Sequence, residues 1–364
     1  MKLALVADWL PTFAGAEHVI AECCALWPDA PLHTTIARHG KLGPLDKQKI
    51  CTTPLQKWYS LLGNHKIFLP WMPRALENID LSAYDVIISS SHAVGKGIVP
   101  PPSAVHICYC HTPMRYAWEM EDLYLLDFGI PRRLRKKVKQ FLKRIRRWDL
   151  TTAKRVDVFI ANSTTTQERI KRIYDRDSIV IHPPVSERFF ATQSDASSSA
   201  PYFLAIGRLV PYKKFDLLIE AANAEGFPLK IAGTGDDFAR LKAMAGPTVE
   251  MLGYIEDDDL PALYANADAL LFPQFEDAGV VPLEAQACGT PVIAYGLGGV
   301  LDTVQDGRTG VFFSEQTVES LLDAIKKFES MRFDSEATAQ HAKQFSSANF
   351  KERLQDVVQA SLHS

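Results

Sequence analysis

The sequence predicts a two-domain α/β protein built on mostly parallel sheets, and three observations carry that reading. Short apolar runs alternate with segments of helical composition along the chain, the pattern of successive βαβ units. Several of those runs end in a turn holding glycine just ahead of a helix, as at Gly15, Gly207 and Gly279. The 364 residues are enough for about two domains of ~150 each, and the stretch Ala191–Ala200 (ATQSDASSSA) reads as a polar linker between them.

Bulk properties remove several function classes. A net charge of -3 argues against a general nucleic-acid binder. No apolar run approaches the ~20 residues that span a bilayer. Lys2 leads straight into a strand and Asp8 cuts the apolar run short, so no secretory leader is expected and a cytoplasmic location follows. The six cysteines, at 23, 24, 51, 108, 110 and 288, contain no CxxC pair and read as reduced thiols. Cys108-Tyr109-Cys110-His111 lacks the spacing of a zinc site, so no metal is expected.

The first domain, residues 1–190, opens with a strand from Lys2 to Ala7, a loop reaching Gly15, and a helix through Ala16 and Glu17. One glycine is no dinucleotide fingerprint. It lets the backbone come close to a ligand at the helix start, or it serves a plain strand–helix turn. Pro31–Ile36 reads as a second strand. Residues 40–80 read as short helices and loops whose aromatics Trp58, Tyr59, Phe68 and Trp71 pack inward or, alternatively, form an acceptor surface. Strands follow at Asp85–Ser91 and Ala104–Cys110. The second ends at His111, with Arg115, Tyr116 and Trp118 close behind. A histidine at a strand's carboxyl end is either a substrate partner and proton handler or a satisfied structural residue.

The segment from Ile130 to Leu150 is the most unusual in composition. It carries Arg132, Arg133, Arg135, Lys136, Lys137, Lys139, Lys143, Arg144, Arg146 and Arg147, with no acid from 131 to 148. Leu134, Val138, Phe141, Leu142, Ile145 and Trp148 recur at helical spacing. This is a basic amphipathic helix, and its unbroken charge favours attachment to an anionic membrane face, which is compatible with packing its apolar stripe on its own domain. Val156–Ala161 and Ile179–Ile181 read as strands flanking a helix at Thr165–Tyr174.

The second domain, residues 201–345, repeats the style. Tyr202–Ile206 is a strand ending at Gly207-Arg208, and Lys213 precedes a helix from Leu217. Strands at Leu229–Ala232 and Val249–Leu252 lead into the glycine turns 233–235 and Gly253-Tyr254-Ile255. Asp257–Asp259 has DxD spacing but sits just ahead of an apolar helix, where acids are helix N-terminal charges first. Ala269–Phe272 is a buried strand. The loop after it holds Glu276, Ala278 and Gly279, and a helix follows with Pro282 in its first position, Glu284 in its first turn and Gly289 as its stop. Val280 and Val281 lie between Gly279 and that helix. Strands at Pro291–Ala294 and Gly310–Phe313 and a helix at Val318–Phe328 complete the series, and residues 346–364 add a last helix.

Ligands of open α/β sheets bind outside the carboxyl ends of the strands. Glu276 and Glu284 there offer two acceptors, the N–H groups from Gly279 to Leu283 suit an anion, and Arg208 with Lys213 suits a diphosphate. A molecule with both hydroxyls and phosphate fits, and a sugar nucleotide is one. Each charge taken alone also reads as solvated surface.

At this point the motifs resemble a known family. Glu276-x7-Glu284 within FEDAGVVPLEAQACGTPV, Gly207-Arg208-Leu209 with Lys213, Gly15-Ala16-Glu17, and HTPxRYxW from His111 to Trp118 resemble the retaining family-four glycosyltransferases of the GT-B fold. The last motif and Pro211-Tyr212-Lys213-Lys214 look closest to bacterial mannosyltransferases of O-antigen and capsule assembly. The resemblance implies two Rossmann-like domains facing each other across a cleft, with a C-terminal helix crossing back to the first. It implies Arg208 and Lys213 on the leaving diphosphate, Glu284 on the ribose, Glu276 on the donor sugar and His111 near the reacting carbon. It places Gly15, Ala16, Gly253, Tyr254, Ile255, Ala278, Gly279, Val280 and Val281 around the donor, and Arg115, Tyr116 and Trp118 toward the acceptor. Arg132, Arg133, Lys136, Lys137, Lys139 and Lys143 would meet an anionic membrane. Relatives often have Gly-Gly-Ala-Glu in the first loop. Here Ala14 precedes Gly15, which narrows backbone freedom there.

The implied function is transfer of a hexose, mannose from GDP-mannose foremost, to a lipid-linked oligosaccharide on the inner membrane face, with no metal. GDP-rhamnose or a UDP-sugar is an alternative donor. A non-catalytic sugar-nucleotide-binding protein is a second alternative, and no lysine-held cofactor motif of a phosphorylase is present.

Overall fold

The computed structural model describes residues 1–119, 131–191 and 201–362, and not the side chains of Tyr116, Arg132 and Leu134. The chain divides into two compact units, residues 1–182 with 350–364, and residues 183–349.

Among the described residues the first unit holds seven parallel strands: β1 (Leu3–Ala7), β2 (Leu32–Thr34), β3 (Ile50–Thr52), β4 (Val86–Ser91), β5 (Val105–Cys110), β6 (Val158–Ala161) and β7 (Ser178–Val180). Their order is β3-β2-β1-β4-β5-β6-β7. β1 and β4 are buried along their whole length, as expected of strands covered on both faces. The order reverses between them, the β1–β4 register running from Leu3↔Val86 to Ala7↔Ser90. Loops leaving the two strands therefore meet at one edge.

One face of this sheet is covered by the helix Gly15–Leu26 and by the final helix, Ser347–Leu362, through Phe350, Leu354 and Val358. The other face is covered by Leu55–Leu62, Met72–Glu77 and the basic helix, whose bounds are Arg132–Ala153. β3 lies within residues 40–80, where no strand was expected. It is three residues long and on the sheet edge, too short for periodicity to show.

Among the described residues the second unit holds six parallel strands: β8 (Phe203–Ile206), β9 (Leu229–Ala232), β10 (Val249–Gly253), β11 (Ala269–Phe272), β12 (Val292–Tyr295) and β13 (Gly310–Phe313). The order β10-β9-β8-β11-β12-β13 is the doubly wound dinucleotide-fold order, and its switch point lies between β8 and β11.

The passage between units differs from the expected linker. It falls at His182/Pro183, because Val185 already bridges Ser346 and Phe189 is buried in the core of the second unit. Of the stretch 191–200, only Ala191 is among the described residues.

Candidate active site

In the second unit the site residues stand where β8 and β11 diverge. Gly207 follows β8 with φ 154°, and a Cβ there would lie 3.0 Å from the Lys213 ammonium. Lys213 ends a short 3-10 turn, Pro211–Lys213. Its buried ammonium pairs with Glu276 at 2.8 Å. Two residues expected to take different parts of a donor thus hold one another. Arg208 is exposed and, among the described residues, no ion pair or hydrogen bond engages its guanidinium.

The loop carrying Glu276 is fixed from beneath. Its carbonyl accepts from the Gly299 N–H at 2.9 Å, and the backbone bridges to Gly298. A Cβ at Gly298 would stand 2.4 Å from the Glu276 carbonyl oxygen, so only glycine lets the two backbones meet. In the same loop Gln274 is buried, and its Nε2 has no hydrogen-bond partner among the described residues. Such a donor costs about 1–3 kcal/mol.

The helix expected to start at Pro282 starts at Val280 and runs to Ala287. Gly279 is its left-handed N-cap, φ 63°, a conformation glycine reaches without strain, and this adds two residues ahead of the proline. Ala278 is buried; Val280 and Val281 are half-buried. The first N–H groups of this helix carry its positive dipole end.

Glu284 is half-buried one turn into the helix. Burial pushes its carboxyl up to about 7, against the hydrogen bond from Tyr264 and the nearby Arg188 charge, which act downward. The Tyr264 hydroxyl donates to Glu284 Oε2 at 2.9 Å, and Arg188 also pairs with Asp257 at 3.5 Å. At the end of β10, Gly253 has φ 73°, Ile255 is half-buried and Tyr254 is exposed.

In the first unit the switch point carries a cluster that sequence reasoning missed. Asp8 directly follows β1 and is buried. Its carboxylate accepts from the N–H groups of His92 at 2.7 Å, Ala93 at 3.2 Å and Val94 at 2.6 Å, from the Gly95 N–H, and from Ser91 Oγ at 3.2 Å. His92 Nδ1 lies 2.9 Å from it. Burial works to raise the Asp8 pKa, yet the His92 charge and these donors outweigh it and hold it well below the usual range. Burial acts to lower the His92 pKa, and Asp8 overrides this so that it is raised. Nothing in their separation of 84 positions marks this pair in the sequence.

His111 joins the cluster. Its Nε2 is 2.8 Å from Ser90 Oγ, and its ring lies 6.3 Å from that of His92. Ala16 and Glu17 line a small cavity with Asp8, Trp9, Ser90 and His92. Gly15 begins the helix, and a Cβ there would meet nothing within 4 Å. Ala14 caps that helix at φ -150°, an extended conformation alanine accepts, so the narrower loop carries no strain.

Of the expected acceptor residues, Trp118 turns inward. Its indole N–H donates to buried Asp149 at 2.8 Å. Asp149 also pairs with Lys96 and accepts from the Tyr174 hydroxyl at 2.9 Å. Arg115 opens the short helix Arg115–Trp118.

On the basic helix Leu142 and Ile145 are buried, with Phe141 and Trp148 packed beside them. Arg133, Lys136, Lys137, Lys143, Arg144 and Arg147 are exposed and Lys139 is half-exposed. At helical spacing the exposed bases share an arc of about 120°. The segment thus packs its apolar stripe inward on its own unit and turns a basic face out.

The sequence profile described as "Glycosyltransferase Family 4" matches residues 13–189, and that described as "Glycosyl transferases group 1" matches residues 186–345. Together they cover nearly all of both units. The chain belongs to glycosyltransferase family 4. The D-inositol 3-phosphate glycosyltransferases of Mycobacterium bovis and Mycobacterium tuberculosis are 30% identical to it over 227 residues, covering 54% of this chain and 47% of theirs. The match thus spans about half the length of those relatives. A HepE protein from Anabaena in complex with UDP has a TM-score of 0.71 at 18% identity, covering 99% of this family-four chain and 100% of that one. Sucrose-phosphate synthase from Thermosynechococcus elongatus has a TM-score of 0.73 at 17% identity, covering 100% of both chains. The fold of this family-four chain is therefore GT-B, each unit Rossmann-like.

Proposed function

We propose that this family-four chain is a retaining glycosyltransferase that moves a hexose, mannose from GDP-mannose, onto a lipid-linked oligosaccharide at the inner membrane face. The observation that carries the reading is the junction of β8 and β11. There the Lys213–Glu276 pair, the uncommitted Arg208 and the Gly279-capped helix start gather cations and N–H donors at one edge. That set suits a departing diphosphate, whose charge builds as the bond from the sugar C1 to phosphate oxygen breaks. Donors fixed beforehand stabilise this charge more in the transition state than in the ground state.

In this reading Lys213 and Arg208 take the diphosphate, and Glu276, released from Lys213, accepts from sugar hydroxyls. Glu284 holds the ribose, and the exposed Tyr254 ring flanks the base. The acceptor hydroxyl oxygen bonds to C1 on the face the leaving group vacates, and its proton passes to a diphosphate oxygen. Cationic side chains then do the work of a metal ion, so the reaction needs none. His111 and His92, the latter held by buried Asp8, belong to the first unit and serve sugar hydroxyls there. The basic face of the helix Arg132–Ala153 attaches the protein to anionic lipid. The donor alternatives are GDP-rhamnose and UDP-sugars; UDP is what the HepE neighbour binds.

Turnover of the donor with a lipid-linked acceptor tests the assignment. Arg208→Ala and Lys213→Ala should each lower kcat by about 10²–10³, the scale of losing one preorganised charge-stabilising donor. Binding of free nucleoside diphosphate should weaken far less. Full turnover in both variants would remove the diphosphate role.

A further inference from the structure

Residues 47–76 contain no acid. Within them Tyr59 and Phe68 are buried, as inward-packing aromatics should be. Trp58, Leu61, Leu62, Ile67 and Trp71 are not. They are 61%, 75%, 54%, 45% and 60% exposed, although single large apolar residues normally avoid such clustering on a surface. Trp58, Leu61 and Leu62 share one face of the helix Leu55–Leu62 at i, i+3 and i+4. Ile67 and Trp71 follow in and just after the turn His65–Phe68.

The base beneath this apolar group is firm. Tyr59, Phe68, Leu69, Met72 and Leu76 anchor it in the core cluster that also takes in Ile145 of the basic helix. Both elements therefore cover the same face of the first unit's sheet. Lys57 and Arg74 lie exposed beside the apolar residues. The group also borders the first unit's switch point, because His65 lies 5.5 Å from the Trp9 ring, which lies 4.9 Å from His92.

We infer that Trp58, Leu61, Leu62, Ile67 and Trp71 form a lipid-inserting surface, which enters the boundary between headgroups and acyl chains of an anionic bilayer. Exposed tryptophan with aliphatic neighbours suits that depth. The lack of acids removes repulsion from anionic headgroups, while Lys57, Arg74 and the basic helix supply attraction. The inference deepens the membrane attachment proposed above and rests on it. It adds a division of labour, in which the helix provides salt-sensitive capture and the apolar group salt-resistant insertion next to the Asp8–His92 cluster.

The test uses the full chain with vesicles of phosphatidylglycerol and phosphatidylcholine, the latter brominated on its acyl chains. Cosedimentation is measured at low salt and at about 0.5 M salt, where surface charges are screened. Wild type should keep binding at high salt, and Leu61→Ser/Trp71→Ser should lose it by about tenfold or more while binding at low salt. Brominated lipid should quench Trp58 and Trp71 fluorescence, seen as a smaller quench in Trp58→Phe/Trp71→Phe. Lys136, Lys137, Lys139 and Lys143 changed to Glu should lose the low-salt component. Vesicle binding with no quenching of Trp58 and Trp71 would overturn the insertion while leaving the basic-helix attachment standing. No vesicle binding by wild type would overturn both. A variant that binds vesicles as wild type does but turns a dimer into a monomer in sedimentation velocity would assign the surface to a second copy of the chain, which also overturns the proposal.

Discussion

Glu284 is the residue whose environment makes the sharpest claim. Its carboxyl sits at about 7 because burial disfavours the charge. In the unfolded chain it titrates near 4.5. Between those values the folded state holds a proton that the unfolded state has lost, so stability falls as pH rises. The contribution is fully present below about 4.5 and gone once pH has passed about 7. Denaturant unfolding between pH 4.5 and 8 should show this decline in wild type and a flatter profile in Glu284→Gln. An equal decline in both would place the linkage elsewhere. The same residue shows what one sequence can reveal. Glu276 and Glu284 were legible as a pair because a strand, a glycine and a helix start fixed their positions. The Lys213–Glu276 contact was not, since 63 positions separate the two residues and only the β8–β11 adjacency brings them together. Asp8 and His92 were hidden for the same reason.

At the scale of elements, a buried polar knot helps to hold the helix Arg132–Ala153. Lys96 and Asp149, 3% and 0% exposed in their side chains, are joined by Trp118, Tyr174 and Thr152. Removing one partner of such a pair strands the other charge. Lys96→Met should therefore destabilise the first unit by about 3–5 kcal/mol in urea unfolding. Lys96→Met with Asp149→Leu should recover part of the loss, and a single variant as stable as wild type would mean the knot is not structural. The helix itself was legible from periodicity and charge. The inward turn of Trp118 was not, because a tryptophan after HTPxRY fits an acceptor surface and a buried network equally well until Asp149 is placed beside it. The start of the helix Val280–Ala287 was misjudged by two residues, since a left-handed N-cap at Gly279 outweighs the preference of proline for the first helical position.

On the scale of the whole molecule, the α/β class and the strand series of each unit apart from β3 were readable from apolar runs and glycine turns, and the return of the last helix to the first unit was an implication of the family resemblance. Strand order was not, because local pattern carries no register between distant strands. The boundary also moved, from the polar stretch 191–200 to His182/Pro183, because a short bridge at Val185 and one buried phenylalanine, Phe189, outweigh composition. Calorimetry on the intact protein reads what the second unit binds at its switch point. The panel is GDP, UDP, ADP, GDP-mannose, UDP-glucose and UDP-N-acetylglucosamine, each with magnesium and with chelator. Preferential binding of GDP and GDP-mannose is expected, unchanged by chelator and weakened in Arg208→Ala. A preference for UDP ligands would contradict the donor assignment, and no nucleotide binding at all would contradict the site.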